Sequence, residues 1–249
     1  MKAKQALVNE KGGYTMKPML GHLLMAGTLL LAGSTPIVAN AAENRSGNTD
    51  IKAEFTKSTS TVTPVDPSNP DVPSTDGDGD NGAAAGGDLS LIFVSKSLGY
   101  GTHELDVLND QQYKVDPTSS YTLLWQDKMV VEVSDVRGTN AGWKLTVTGS
   151  NLTGTDGTAA KGATLSLPKG DVVNSGSEAN GAVATASEVA LNGMVGSSAV
   201  LNADKGGGSG VTVSRLDPKA LTLNIKANTV KAQAYSANLN WTLSDLPTN

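Results

Sequence analysis

The sequence predicts an all-β protein whose folded part is a single domain of sandwich-like or barrel-like form. Three observations carry that expectation. From Leu89 onward, short runs of alternating apolar and polar residues recur between clusters of Gly, Asn, Asp and Ser. No stretch sustains the 3.6-residue apolar period of an amphipathic helix. The frequent glycine-rich turns suit a sandwich or barrel better than βαβ units.

Taken in order, the first strand is Leu89 to Phe93, in which Leu89, Leu91 and Phe93 share a face. Tyr121 to Trp125 and Met129 to Ser134 follow, then Gly142 to Thr148, Ala163 to Leu167, Val211 to Val213 and Leu221 to Ile225. Ala237 to Leu243 closes the set, and Val183 to Leu191 reads as a short helical turn. Residues 89–249 are long enough for one substantial core.

The N-terminal part reads differently. Lys11 and Lys17 precede an apolar run from Met19 to Ala32, and Ala39-Asn40-Ala41 is a small-x-small cleavage site, so residues 1–41 are expected to be a cleaved signal peptide. Ser34 stands where a bacterial lipoprotein would carry its lipid-bearing cysteine, and the chain has no cysteine at all. Disulfides, thiolate metal sites and a cysteine nucleophile are thereby excluded. Residues 42–88 are rich in Thr, Pro, Asp and Gly and lack hydrophobic periodicity, so they are expected to be a disordered linker. No membrane span is expected once the signal is gone.

Loss of residues 1–41 removes four lysines and one glutamate from the chain's 19 basic and 24 acidic residues. The remaining 15 and 23 give a net charge of −8, against −5 for the full chain. That balance argues against nucleic acid or an anionic polymer held by bulk electrostatics, and leaves local contacts to recognise any ligand.

Two short motifs stand out: Trp143-Lys144-Leu145 in AGWKLTVTGS and Trp241-Thr242-Leu243 near the C-terminus. Alternation places Trp143, Leu145 and Val147 on one face of their strand, and Leu239, Trp241 and Leu243 on one face of theirs. A half-buried strand would show this spacing whether or not it binds anything. Each tryptophan is thus either a core residue or a surface for stacking on sugar or docking a partner, and the two roles are compatible. Trp125, followed by Gln126 and Asp127, is not a third copy and is expected in the core.

The two motifs, in this order after a signal and a spacer, resemble the WxL domain of surface proteins from Gram-positive bacteria. Asp88-Leu89-Ser90-Leu91 is similar to the start of that domain, and Ser134 to Gly142 resembles the aspartate–arginine–glycine run before the first motif. Lys161 to Leu165, Tyr235-Ser236-Ala237 and Leu243-Ser244-Asp245 also fit, so the resemblance covers roughly residues 88 to 249. It implies a secreted protein at the cell wall that binds peptidoglycan non-covalently, together with other WxL-associated surface proteins. By the same resemblance Trp143, Leu145, Trp241 and Leu243 are the ligand- or partner-binding motif residues. The alternative is a docking subunit of a multi-protein surface complex, held at the wall through a WxL-recognising partner.

Other signals carry less. Asp76 to Asp80 imitates the start of a calcium loop but has Asn81 where glycine belongs and Gly87 where glutamate belongs. Leu246-Pro247-Thr248-Asn249 is similar to a sortase signal without its ending or hydrophobic tail. Lys205 to Gly210 lacks the lysine–serine/threonine ending of a phosphate loop and is expected to be a flexible hairpin or loop. His103 has no serine motif such as G-x-S-x-G to serve, and reads as a surface residue. Asp88, Glu132 and Asp135 could form a glycosidase pair only if folding brought two of them face to face. Arg137-Gly138-Thr139 reads as a turn. The expectation is therefore no enzyme, no cofactor and no metal site.

Overall fold

The computed structural model describes residues 46–74, 80–176 and 180–245. The expected signal peptide, most of the Asp76 to Asp80 run and the C-terminal Leu246 to Asn249 lie outside the described residues. The chain divides into two units, residues 1–52 and 53–249. In the first, residues 46–52 carry no regular secondary structure. The second holds sixteen strands among its described residues: β1 (Val65–Asp66), β2 (Asn69–Pro73), β3 (Leu89–Val94), β4 (Gln111–Lys114), β5 (Met129–Asp135), β6 (Trp143–Gly149), β7 (Thr153–Gly154), β8 (Thr164–Leu167), β9 (Asp171–Asn174), β10 (Ala182–Ala184), β11 (Ser187–Ala190), β12 (Ser198–Ala203), β13 (Gly210–Leu216), β14 (Thr222–Ile225), β15 (Tyr235–Ser236) and β16 (Leu239–Asp245).

The fold is all-β, as the alternation predicts. Three four-stranded antiparallel sheets run in the orders β10-β12-β6-β16, β3-β5-β13-β9 and β11-β8-β14-β4, and β1-β2 and β15-β7 add two small ribbons. One core joins the inner faces of the three sheets: Met129, Val131 and Val133 from β5, Trp143, Leu145 and Val147 from β6, Leu165 and Leu167 from β8, and Leu201 from β12. A 3-10 turn at Pro218–Ala220 is capped by the Asp217 carboxylate, which accepts from Lys219 N–H.

β5 is buried along its whole length, which explains its nearly continuous apolar run Met-Val-Val-Glu-Val. One face meets the main core. The other, with Val130, Val213, Ile92, Phe93 and Trp125, is covered by Val65. Composition places residues 65–73 inside the linker, yet here they pair as a β-hairpin. Asp66 starts its turn by accepting from Ser68 N–H at 2.7 Å and Asn69 N–H at 3.2 Å. Few apolar residues suffice for this, because the sheet supplies the rest of the buried surface.

Two further differences have simple causes. Tyr121 to Trp125 is not a strand: Tyr121 is exposed, and Trp125 makes an isolated bridge to Lys128. The bridge closes a turn through Gln126 and Asp127, both with positive φ. Trp125 is nevertheless core, with its ring tilted against Phe93 at 4.6 Å. Val183 to Leu191 forms no helical turn but contributes β10 and β11, which join different sheets. Alanine-rich spacing resembled a helix there, and tertiary pairing overrode it.

Candidate functional site

The two tryptophan motifs, about a hundred residues apart in sequence, lie on neighbouring antiparallel strands. Leu145 faces Leu243, Trp143 faces Asp245, and Trp241 faces Val147. Residues opposite one another in such a ladder share a face, so all four motif side chains project to the same side of the sheet.

Their environments then diverge. β6 lies between β12 and β16, while β16 is an edge strand. Trp143 and Leu145 are 0% exposed. Trp241 and Leu243 are half-buried and pack on the rim of the core. With Leu239 they form one wall of an open groove of about 420 Å³, whose other wall is Leu89, Leu91 and Val94 of β3 with Ala83. No charged side chain lines it.

Trp143 is held by a close fit. Its Nε1–H donates to the Gly208 carbonyl at 3.0 Å. Gly208 has φ +83°, and a Cβ there would lie 2.4 Å from Trp143 Nε1 and 2.6 Å from Ala203 Cβ. Only glycine fits this position. The run Lys205 to Gly210, expected as a flexible loop, is thus the lid over the first tryptophan. It is fixed further by Gly206 N–H donating to Asn140 O at 2.8 Å and by Ser209 Oγ bonding Asn140 Oδ1.

Arg137 ties the two motifs together. Its Nε and Nη2 donate to the two carboxylate oxygens of buried Asp135 at 2.9 and 2.7 Å, and Nη2 also donates to Gly142 O at 2.9 Å, just before Trp143. Nη1 pairs with Asp245, the last residue of β16. The Asp135 hydrogen bonds raise the guanidinium's affinity for its proton still further. The turn expected at Arg137-Gly138-Thr139 is present, with Gly138 at φ +70°, but its arginine reaches into the sheet to clamp both motif strands.

The carboxylates considered for catalysis have separate partners: Asp135 is held by Arg137, whose charge Asp88 also feels from just before the neighbouring strand β3. Glu132 and Asp135 point to opposite faces of β5, and Asp88 pairs with Lys57 at 3.3 Å. Glu132 is fully buried beneath the β1–β2 hairpin, where Val65 N–H donates to its Oε2 at 3.1 Å. Burial pushes its carboxyl up to about 8, with the Val65 bond opposing and the Asp66 charge adding. His103 is exposed and stacks on Tyr113, ring centroids 4.2 Å apart. Among the described residues, no cluster of three His, Asp or Glu could hold a metal ion.

Sequence reasoning named the four motif residues but not the groove's opposite wall or the link from Arg137 to Asp245. The signals were present, as Leu89-Ser90-Leu91 and as the aspartates of the two resembling runs. Nothing in them tells that β3 and β16 face one another.

This architecture is that of an all-β binding module built around two tryptophan motifs on adjoining strands. The family of WxL domain surface cell wall-binding proteins matches residues 42–247, and the chain belongs to it. It is accordingly a wall-binding protein of the cell surface. No curated protein and no solved structure matches the chain. Among the described residues, no helix is long and apolar enough to cross a membrane.

Proposed function

We propose that the protein attaches non-covalently to peptidoglycan through the groove between β16 and β3. In this reading Trp241 and Leu243 touch the ligand, while Trp143 and Leu145 fix the sheet behind them. One observation carries it: of two motifs with the same spacing, one is sealed in the core and the other walls an open, uncharged groove. An indole face and leucine side chains suit the apolar faces of sugar rings and alkyl stretches of stem peptides, and need no electrostatic attraction. The protein is not an enzyme. Residues 1–41 act as a cleaved export signal, and residues 42–88 lead from it to the wall-binding domain, with the hairpin folded back onto that domain.

The test is co-sedimentation of the secreted chain with peptidoglycan freed of protein by protease and of accessory polymers by acid. The wild type should pellet, and Trp241→Ala, with an unchanged circular dichroism spectrum, should stay in solution. If the wild type pellets only with untreated wall, the receptor is a protein or accessory polymer. The docking-subunit reading then replaces direct peptidoglycan binding. That second reading is favoured by the outer edge of β16, which pairs with no strand among the described residues.

A further inference from the structure

The groove has two edge strands along it, and the chain treats them differently. The outer edge of β3 is occupied by residues just before it. Gly82 N–H donates to Val94 O at 2.8 Å, and Lys96 N–H donates to Asp80 O at 3.1 Å. The Asn81 side chain completes the cover, donating from Nδ2 to Ile92 O at 2.8 Å and accepting from Val94 N–H at 3.2 Å. The outer edge of β16 is paired with no strand among the described residues.

The ladder register says which groups that edge presents. Ser150 N–H donates to Asn238 O at 2.8 Å, and the pairing runs on without a bulge. Asn240, Thr242 and Ser244 therefore bond to β6, and Leu239, Trp241, Leu243 and Asp245 turn N–H and C=O outward. The groove residues of the second motif are thus also its open-edge residues. At seven residues β16 is longer than any other edge strand of the three large sheets. It contains no proline, lysine or arginine, and its one charge is the terminal Asp245, already paired with Arg137. Natural edges are ordinarily blunted by such residues, so a long plain edge beside an uncharged groove marks a pairing site.

We infer that an extended polypeptide segment of a partner protein adds to β16 as a further strand, with every second side chain, uncharged, seated in the groove against Trp241, Leu243, Leu89 and Leu91. The inference rests on the docking reading above and gives it a mode. A row of N–H and C=O groups at strand spacing is matched by another backbone and by no glycan. The uncharged groove calls for uncharged side chains. Two copies of β16 paired edge to edge would bury a strip of roughly 24 by 10 Å per copy, far below the ~800 Å² of a standard stable interface. They would also leave the groove open.

The test uses the secreted chain and an eight-residue peptide alternating threonine and valine between terminal lysines, followed by backbone amide hydrogen exchange. Saturable binding below about 1 mM should slow exchange at Leu239, Trp241, Leu243 and Asp245 and leave Asn240, Thr242 and Ser244 nearly unchanged. Leu239→Pro removes one outward donor without touching the ladder to β6, and should weaken binding about tenfold with the fold intact. The inference is overturned if those four amides are unaffected at several millimolar peptide, or if outward and inward amides slow alike. It is also overturned if soluble disaccharide-peptide fragments of peptidoglycan protect them and the peptide does not. Sedimentation with stripped peptidoglycan reads the wall-binding proposal separately, so either can fail alone.

Discussion

Leu145 and Leu243, the third residues of the two motifs, sit directly opposite each other on β6 and β16. Because the even-numbered residues of β16 make the hydrogen bonds to β6, this is a non-hydrogen-bonded pair, the type in which side chains approach most closely. The two leucines form the seam from which one tryptophan extends into the core and the other toward the groove. The motif is thus one composite feature of two strands, with a structural half and an exposed half.

That asymmetry predicts unequal costs of truncation. Trp143→Ala should destabilise the domain by about 3–5 kcal/mol, because it empties a fully buried indole site. Gly208→Ala should cost at least about 2 kcal/mol, since its Cβ would displace the Trp143 ring at a positive φ. Trp241→Ala should cost no more than about 1–2 kcal/mol. Urea denaturation read by circular dichroism gives all three values. Equal losses for the two tryptophans would make the second a core residue and remove the basis for a groove contact.

Arg137 should behave as a buried clamp. Its side chain is 12% exposed and faces Asp135 at 1%, so Arg137→Ala strands a buried carboxylate and should cost about 3 kcal/mol or more. Lysine cannot supply the forked donors and should rescue little of that loss. Asp245 is 69% exposed, and Asp245→Asn should cost under about 1 kcal/mol. The same denaturation series checks this ordering; a larger loss at Asp245 would show that the tie to β16, not the Asp135 pair, dominates.

Glu132 predicts a pH dependence. Its folded carboxyl lies near 8, above the ordinary carboxylate value, so between about 4.5 and 8 the folded chain holds a proton that the unfolded chain has released. Stability contributed by this group is complete below the ordinary value and is lost as pH rises through 8. At about 1.4 kcal/mol per unit, the loss is on the order of a few kcal/mol. Glu132→Gln keeps the acceptor for Val65 N–H without the ionisation and should flatten the fall in stability between pH 5 and 9. Parallel wild-type and variant curves would show that water reaches the carboxylate and screens its charge.

Much of the site was legible in the chain because its signals are local. Alternation in Trp143-Lys144-Leu145-Thr146-Val147 names the buried side of β6 without a structure. Leu239, Trp241 and Leu243 give the same pattern, and nothing in it distinguishes an edge strand from a central one. The hairpin at residues 65–73 was hidden for the opposite reason. Its own sequence is Pro- and Asp-rich, and its stability comes from Ile92, Phe93, Trp125, Val130 and Val213, which lie elsewhere in the chain.

By itself the sequence determined the all-β class, the inward face of β6 and the two matching motif triplets, since these follow from two-residue periodicity and side-chain type. In β3 that periodicity placed Phe93 with Leu89 and Leu91, but a bulge between Leu91 and Phe93 turns Phe93 to the opposite face, with Ile92. Only the tertiary structure decided that the two motifs adjoin in register, that Arg137 joins them and that Gly208 seals the first. It alone decided that β16 closes its sheet with one edge paired to no strand among the described residues. Those relations are pairings between segments far apart in sequence, and pairing is set by how three sheets share one core, which no local pattern encodes.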